Sequence, residues 1–132
     1  MEKILAVDPG RDKCGMAVLD SAGEIIFRQV IATGELEQKA TELTEKFALI
    51  KLVIGDGTTS QGAKARLESI MPSLPIETVD EYRTTDEAKL LYWELNPPTG
   101  LKKLLPVTML TPPGPVDDLA AVVLGRRFLA RK

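Results

Sequence analysis

Apolar residues follow two rhythms along this chain. Ile4-Leu5-Ala6-Val7 is a continuous run closed by Asp8-Pro9-Gly10, the pattern of a short buried strand ending in a turn. A second run of small apolar residues, Cys14 to Leu19, stops at Asp20-Ser21-Ala22-Gly23. The next segment, Glu24 to Ala32, is rich in β-formers (Ile25, Ile26, Phe27, Val30, Ile31). Three strands joined by short turns predict an antiparallel meander.

The rhythm then lengthens. Leu36, Ala40, Leu43 and Phe47 recur at helical spacing and predict an amphipathic helix. Leu52-Val53-Ile54 reads as a buried strand ended by Gly55-Asp56-Gly57-Thr58. Ala63, Leu67, Ile70 and Met71 mark a second helix, and Pro75 to Val79 a fifth strand. A third helix opens at Thr84-Thr85-Asp86-Glu87, carries Ala88, Leu91 and Leu95 on one face, and must stop at Asn96-Pro97-Pro98. Pro97 to Pro115 holds six of the nine prolines and reads as a long surface loop with one extended piece near Leu104 to Leu110. Val116 to Ala130 is the last helix. A meander followed by strand–helix alternation predicts an α/β fold, a mixed sheet flanked by helices. At 132 residues a single domain spanning 1–132 is expected.

Composition narrows the chemistry. The chain has no histidine and one cysteine, Cys14. This excludes Ser-His-Asp and Cys-His nucleophile systems, histidine-liganded zinc, an internal disulfide and a multi-cysteine metal cluster. Carboxylates, lysines, arginines and hydroxyls remain. The net charge is −2, without the bulk basic footprint of many nucleic-acid domains, although carboxylates gathered at a metal site lower the charge without touching a binding face. The longest apolar run, Leu119 to Leu124, lies between Asp117-Asp118 and Arg126-Arg127 and is too short to cross a bilayer. The expectation is a cytoplasmic protein with no membrane partner.

The acidic residues collect at the ends of elements. Asp8 follows the first strand, Asp56 the fourth and Asp80-Glu81 the fifth, while Asp117-Asp118 open the last helix. If the fourth and fifth strands run parallel to the first, their carboxyl ends share one sheet edge, where open α/β sheets place ligands. Without histidine or cysteine, such a cluster suits hard divalent ions, Mg²⁺ or Mn²⁺. Each residue also has a plainer use. Asp8 and Asp56 suit turns, Thr84-Thr85 suits an N-cap, and Asp117-Asp118 suit the positive end of a helix. Lys13, Arg83, Lys102, Lys103, Arg126 and Arg127 suit solvated surface. Against this, Asp117, Ala121, Leu124 and Phe128 fall on one helical stripe, which predicts Asp117 pointing inward at the rim.

Taken together, these stretches resemble the YqgF/RuvX family of RNase H-like nucleases, relatives of the RuvC Holliday junction resolvases. Ile4-Leu5-Ala6-Val7-Asp8-Pro9-Gly10 with Cys14-Gly15-Met16-Ala17-Val18 resembles the family's first hairpin. Val79-Asp80-Glu81-Tyr82-Arg83-Thr84-Thr85-Asp86-Glu87-Ala88 is similar to its Asp-Glu-Arg-x-(Ser/Thr)-Thr box, with Tyr82 in the place of the arginine. Val116-Asp117-Asp118-Leu119-Ala120-Ala121 is similar to its C-terminal helix motif. The resemblance implies a five-stranded RNase H-like fold and Mg²⁺-dependent (or Mn²⁺-dependent) hydrolysis of phosphodiester bonds, with Asp8, Glu81 and Asp117 on the family's acidic positions. The implied substrates are Holliday junctions or the 5′ end of precursor ribosomal RNA.

The expected catalytic set is Asp8, Glu81 and Asp117, with Asp56 and Asp118 as further candidates. Asp8, Glu81 and Asp117 would hold the metal. Asp56 competes with Glu81 for the completing place, because it follows a central strand as the RuvC acid does. Lys13, Arg83, Lys102 and Lys103 are the expected phosphate contacts, and the protein is expected as a monomer or weak homodimer. The competing reading is a non-catalytic nucleic-acid-binding module with the same fold.

Overall fold

The computed structural model describes residues 2–57 and 59–131, so Thr58 of the turn after the fourth strand lies outside the described residues. Its strands are β1 (Lys3–Asp8), β2 (Lys13–Asp20), β3 (Ile25–Ala32), β4 (Leu49–Gly55) and β5 (Ile76–Val79). Its helices are α1 (Leu36–Lys46), α2 (Ser60–Ile70), α3 (Thr84–Leu95) and α4 (Asp117–Ala130). The five strands form one sheet in the order β3-β2-β1-β4-β5. β1, β2 and β3 pair antiparallel, and β4 and β5 add in parallel beyond β1. The expected mixed sheet is therefore present, with the carboxyl ends of β1, β4 and β5 along one edge.

Strand alternation divides the core into two layers. Leu5, Val7, Met16, Leu52 and Ile54 face α1 and α2, where they meet Leu36, Leu43 and Leu67. Ile4, Ala6, Ala17, Leu19 and Val53 face α3 and α4, where they meet Leu91, Leu119, Val122 and Leu124. Side chains on the second face are small where α4 crosses, which lets the helix lie close. Gly125 meets the sheet there: a Cβ on it would stand 2.5 Å from Leu19 Cδ1.

Two sequence expectations change. The long loop has no continuous extended piece at Leu104 to Leu110; it turns through two short 3-10 segments, Gly100–Leu104 and Val107–Met109, with Thr99, Leu105 and Leu110 extended at their ends. The stretch is largely exposed and closes on itself instead: the Leu105, Met109 and Leu110 amides donate to the Lys102, Pro106 and Val107 carbonyls. The single inward stripe of α4 also fails. Asp118 through Gly125 are all buried, because α3 covers the face of α4 that the sheet does not. A helix enclosed on both sides has no solvent stripe to define its phase. Asp118, not Asp117, is the enclosed acid.

Candidate active site

The site is assembled by register and by glycine. Asp8, the last residue of β1, lies opposite Gly15 of β2 and points, like Ala6, toward α4. The missing side chain of Gly15 lets the start of α4 descend onto the sheet. A Cβ there would stand 1.7 Å from the Asp117 carbonyl oxygen, a collision with backbone. Asp117 thus arrives beside Asp8, at the rim and partly exposed. Lys13, at the start of β2, approaches the Asp117 carboxylate at 3.9 Å. An ion pair this exposed is worth at most about 1 kcal/mol, so it orients more than it stabilises.

Glu81 comes from the turn after β5. Its carboxylate lies on a floor made by the end of β4. Cβ atoms on Gly55 and Gly57 would stand 2.2 Å and 1.6 Å from its oxygens, and the Gly57 amide donates a hydrogen bond to it. Its own backbone N–H donates to Asp56 Oδ1 at 3.2 Å. The two acids that competed for one role are therefore partners: Asp56 holds the backbone of Glu81, and Glu81 turns its carboxylate to the glycine floor.

Electrostatics ties the group together. Burial raises the Asp8 carboxyl to a pKa of about 7, helped by the charges of Glu81 and then Asp117. Glu81 is also raised, first by burial and then by Asp56 and Asp80, against the lowering effect of the Gly57 amide. Crowded, poorly solvated carboxylates resist sharing one place as anions, and a cation relieves this. Oxygen-only donors with uncompensated charge suit a hard divalent ion in chemistry. The carboxylates are gathered rather than closed: among the described residues, no three acidic, histidine or cysteine side chains form a ready cage for an ion.

The remaining candidates are placed differently. Asp118 accepts from Arg28 Nη1 at 2.7 Å and from the Leu119 amide at 2.9 Å, so it anchors α4 to β3 rather than facing the edge. Nothing in the sequence pattern singled out Arg28. Arg83 has a left-handed backbone (φ 60°) just before α3, and its Nε donates to Asp86 at 3.2 Å. Lys102 and Lys103 are exposed in the first 3-10 segment; among the described residues no hydrogen bond or ion pair links either to the carboxylates. Thr84 does not cap α3 forward, since its hydroxyl donates back to the Glu81 carbonyl at 3.0 Å. Arg127, expected as surface, donates to the carbonyls of Asp80 and Tyr82, each at 2.7 Å, and pairs with Glu87. No motif marks that role, because it depends on α4 crossing beside the β5 turn.

No protein-family model matches the chain, and none of the curated proteins compared with it does. Solved structures do match. RuvC from T. thermophilus in complex with a Holliday junction substrate is similar with a TM-score of 0.62 at 10% identity, over 94% of this chain and 90% of that one. Thermus thermophilus RuvC also matches with a TM-score of 0.62, at 12% identity, over 96% and 94%. The fold is that of RuvC, an RNase H-like fold. At such identity the likeness to RuvC establishes architecture, and residue roles rest on the geometry above.

Proposed function

We propose that this protein is a RuvC-like nuclease of the YqgF/RuvX type, hydrolysing phosphodiester bonds in structured nucleic acid with Mg²⁺ or Mn²⁺. The observation that carries this is the meeting of Asp8, Glu81 and Asp117 at the carboxyl edge of β1, β4 and β5 within a RuvC fold. Such an edge is open, as a site for a polymer backbone must be. Asp8, Glu81 and Asp117 would hold the ion; when bound, it supplies a water of lowered pKa and stabilises the leaving oxygen. Lys13 steadies Asp117 and offers a positive charge to a neighbouring phosphate. Arg83, Lys102 and Lys103 extend that phosphate contact along α3 and the long loop. The similar RuvC structure holds a Holliday junction, which makes branched DNA the first substrate to try, with precursor ribosomal RNA beside it. We read the chain as one domain acting in the cytoplasm as a monomer or weak dimer; no helix of the described residues is long and apolar enough to cross a membrane.

A second reading has its own support. Glu81 already bonded to Gly57, and carboxylates that form no closed cage, also fit a nucleic-acid-binding module without catalysis. One assay separates them: labelled four-way DNA junctions, single-stranded RNA and precursor ribosomal RNA, with Mg²⁺ or Mn²⁺, against wild type, Asp8→Asn and Glu81→Gln. The nuclease reading expects metal-dependent cleavage that falls by roughly three orders of magnitude in each variant, comparable to about 4 kcal/mol of lost transition-state stabilisation. Binding of these probes without cleavage, unchanged by either substitution, selects the module.

A further inference from the structure

β5 is an edge strand, and edge strands leave a row of backbone groups unpaired. Pro75 turns its carbonyl toward Leu52 of β4. By strand alternation the even-numbered carbonyls that follow face away from β4. Two arginines four residues apart, Arg127 in the last turn of α4 and Arg131 just past its end, cover that outer side. Arg131 Nη2 donates to the Thr78 carbonyl at 2.9 Å, within the strand. Arg127 reaches further, past the end of the strand at Val79. Its Nη1 donates to the Asp80 carbonyl and its Nη2 to the Tyr82 carbonyl, the two that flank Glu81. The same guanidinium pairs with Glu87 in the first turn of α3.

This grip falls where the chain most needs it. Residues 80–83 have no ladder partner, and the turn closes through Arg83 in the left-handed region, a conformation that disfavours a residue with a side chain. Inside the turn, the Glu81 amide is held by Asp56 Oδ1 and the Glu81 carbonyl by the Thr84 hydroxyl and amide. With Arg127 on both flanking carbonyls and the Tyr82 amide on Asp80 Oδ1, the backbone on either side of Glu81 is held, while its carboxylate takes the Gly57 amide. A planar five-donor guanidinium can serve two carbonyls and a carboxylate at once; an ammonium on a flexible stem cannot do so in one geometry.

We infer that Arg127 is a positioning residue for the Glu81 carboxylate, acting through the backbone of the turn that carries it. The inference rests on Glu81 belonging to the active site, as proposed above. The partners of Arg127 are the Asp80 and Tyr82 carbonyls and Glu87, so its action reaches the site through the chain that carries Glu81.

The test uses the whole chain as wild type, Arg127→Ala, Arg127→Lys, Glu81→Gln and the Arg127→Ala/Glu81→Gln pair. Hydrogen exchange is measured without metal, Mn²⁺ binding by calorimetry, and cleavage on a labelled four-way DNA junction. In Arg127→Ala the Glu81 and Thr84 amides should exchange at least about 10-fold faster while those of β1 keep their protection. Mn²⁺ should bind more weakly, and kcat on the junction should fall by about 100-fold with KM nearly unchanged, the cost of misplacing a reacting group by roughly an ångström. Arg127→Lys should recover only part of each. In the Glu81→Gln background, removing Arg127 should cost almost nothing more, since its effect travels through the group already lost. The inference is overturned if Arg127→Ala leaves the two amides protected, or if its losses add in full to those of Glu81→Gln. If Arg127→Ala fails to fold, the same comparisons are made with Arg127→Lys. If wild type cuts none of the junction, single-stranded RNA and precursor ribosomal RNA probes, the nuclease reading fails, while hydrogen exchange and Mn²⁺ binding still decide whether Arg127 positions Glu81.

Discussion

Asp8 shows how one side chain carries both the cost and the use of this site. Its carboxyl ionises near pH 3.8 in an ordinary setting and near 7 in the fold, so between these values the folded chain holds a proton that the unfolded chain has released. Stability without metal must then fall as pH rises from about 4 to about 7, and level off above. Glu81, also raised, adds to the same slope. Asp8→Asn removes the buried charge and should flatten the profile in that window. With a chelator present it should raise stability at pH 8 by about 1–3 kcal/mol, read from urea melts of both proteins. A substitution that stabilises the fold while abolishing cleavage marks a residue kept for chemistry. Equal pH profiles in the two proteins would show that Asp8 is neither buried nor crowded in solution.

Among the elements, α4 decides the site. Its placement depends on Gly15 below its first turn and on Gly125 against Leu19 and Ala6. Gly15→Ala would put a methyl group into the Asp117 carbonyl, and backbone does not yield as a flexible side chain does. We expect a loss of about 3 kcal/mol in urea melts, at the upper end of overpacking costs, with α4 pushed off β2. Mn²⁺ affinity should fall with it, because Asp117 moves away from Asp8. Full stability in Gly15→Ala would mean that α4 sits higher on the sheet than the structure has it. The pairing of buried Asp118 with Arg28 of β3 secures the same helix end, so the N-terminal end of α4 is located by one close approach and one charged bond.

For the whole molecule, the proposed function sets a problem: a chain of net charge −2 would have to meet a polyanion. The positive charge must be local. The stretch from Pro97 to Pro115 contains Lys102 and Lys103 and no acid, and both lysines stand exposed. Replacing both with Ala should weaken junction binding and reduce the slope of log affinity against log salt by about 2, with stability unchanged. An unaltered slope in fluorescence-anisotropy titrations would assign the loop a different task.

The division of labour between sequence and tertiary structure follows the range of the forces involved. All five strands and four helices were legible because alternation, helical spacing and turn residues are properties of neighbouring positions, and Pro97-Pro98 or Asp8-Pro9-Gly10 mark their ends without outside help. The acids at strand ends were legible for the same reason. The order β3-β2-β1-β4-β5 agrees with the parallel arrangement that placed Asp8 and Glu81 on one edge. What local pattern could not carry is anything settled by a contact across the sheet. Asp117 was read as inward and Asp118 left undistinguished, because the phase of α4 depends on α3 and the sheet together. Asp56 remained a rival to the preferred Glu81 until β4 and β5 stood side by side and one carboxylate took the other's amide. Arg127 looked like surface until α4 crossed the open edge of β5, where unpaired carbonyls 45 and 47 positions away in sequence required a donor. Short-range patterning determines which elements exist and which residues end them; only packing at van der Waals distance decides which of those ends meet, and which side chain holds another in place.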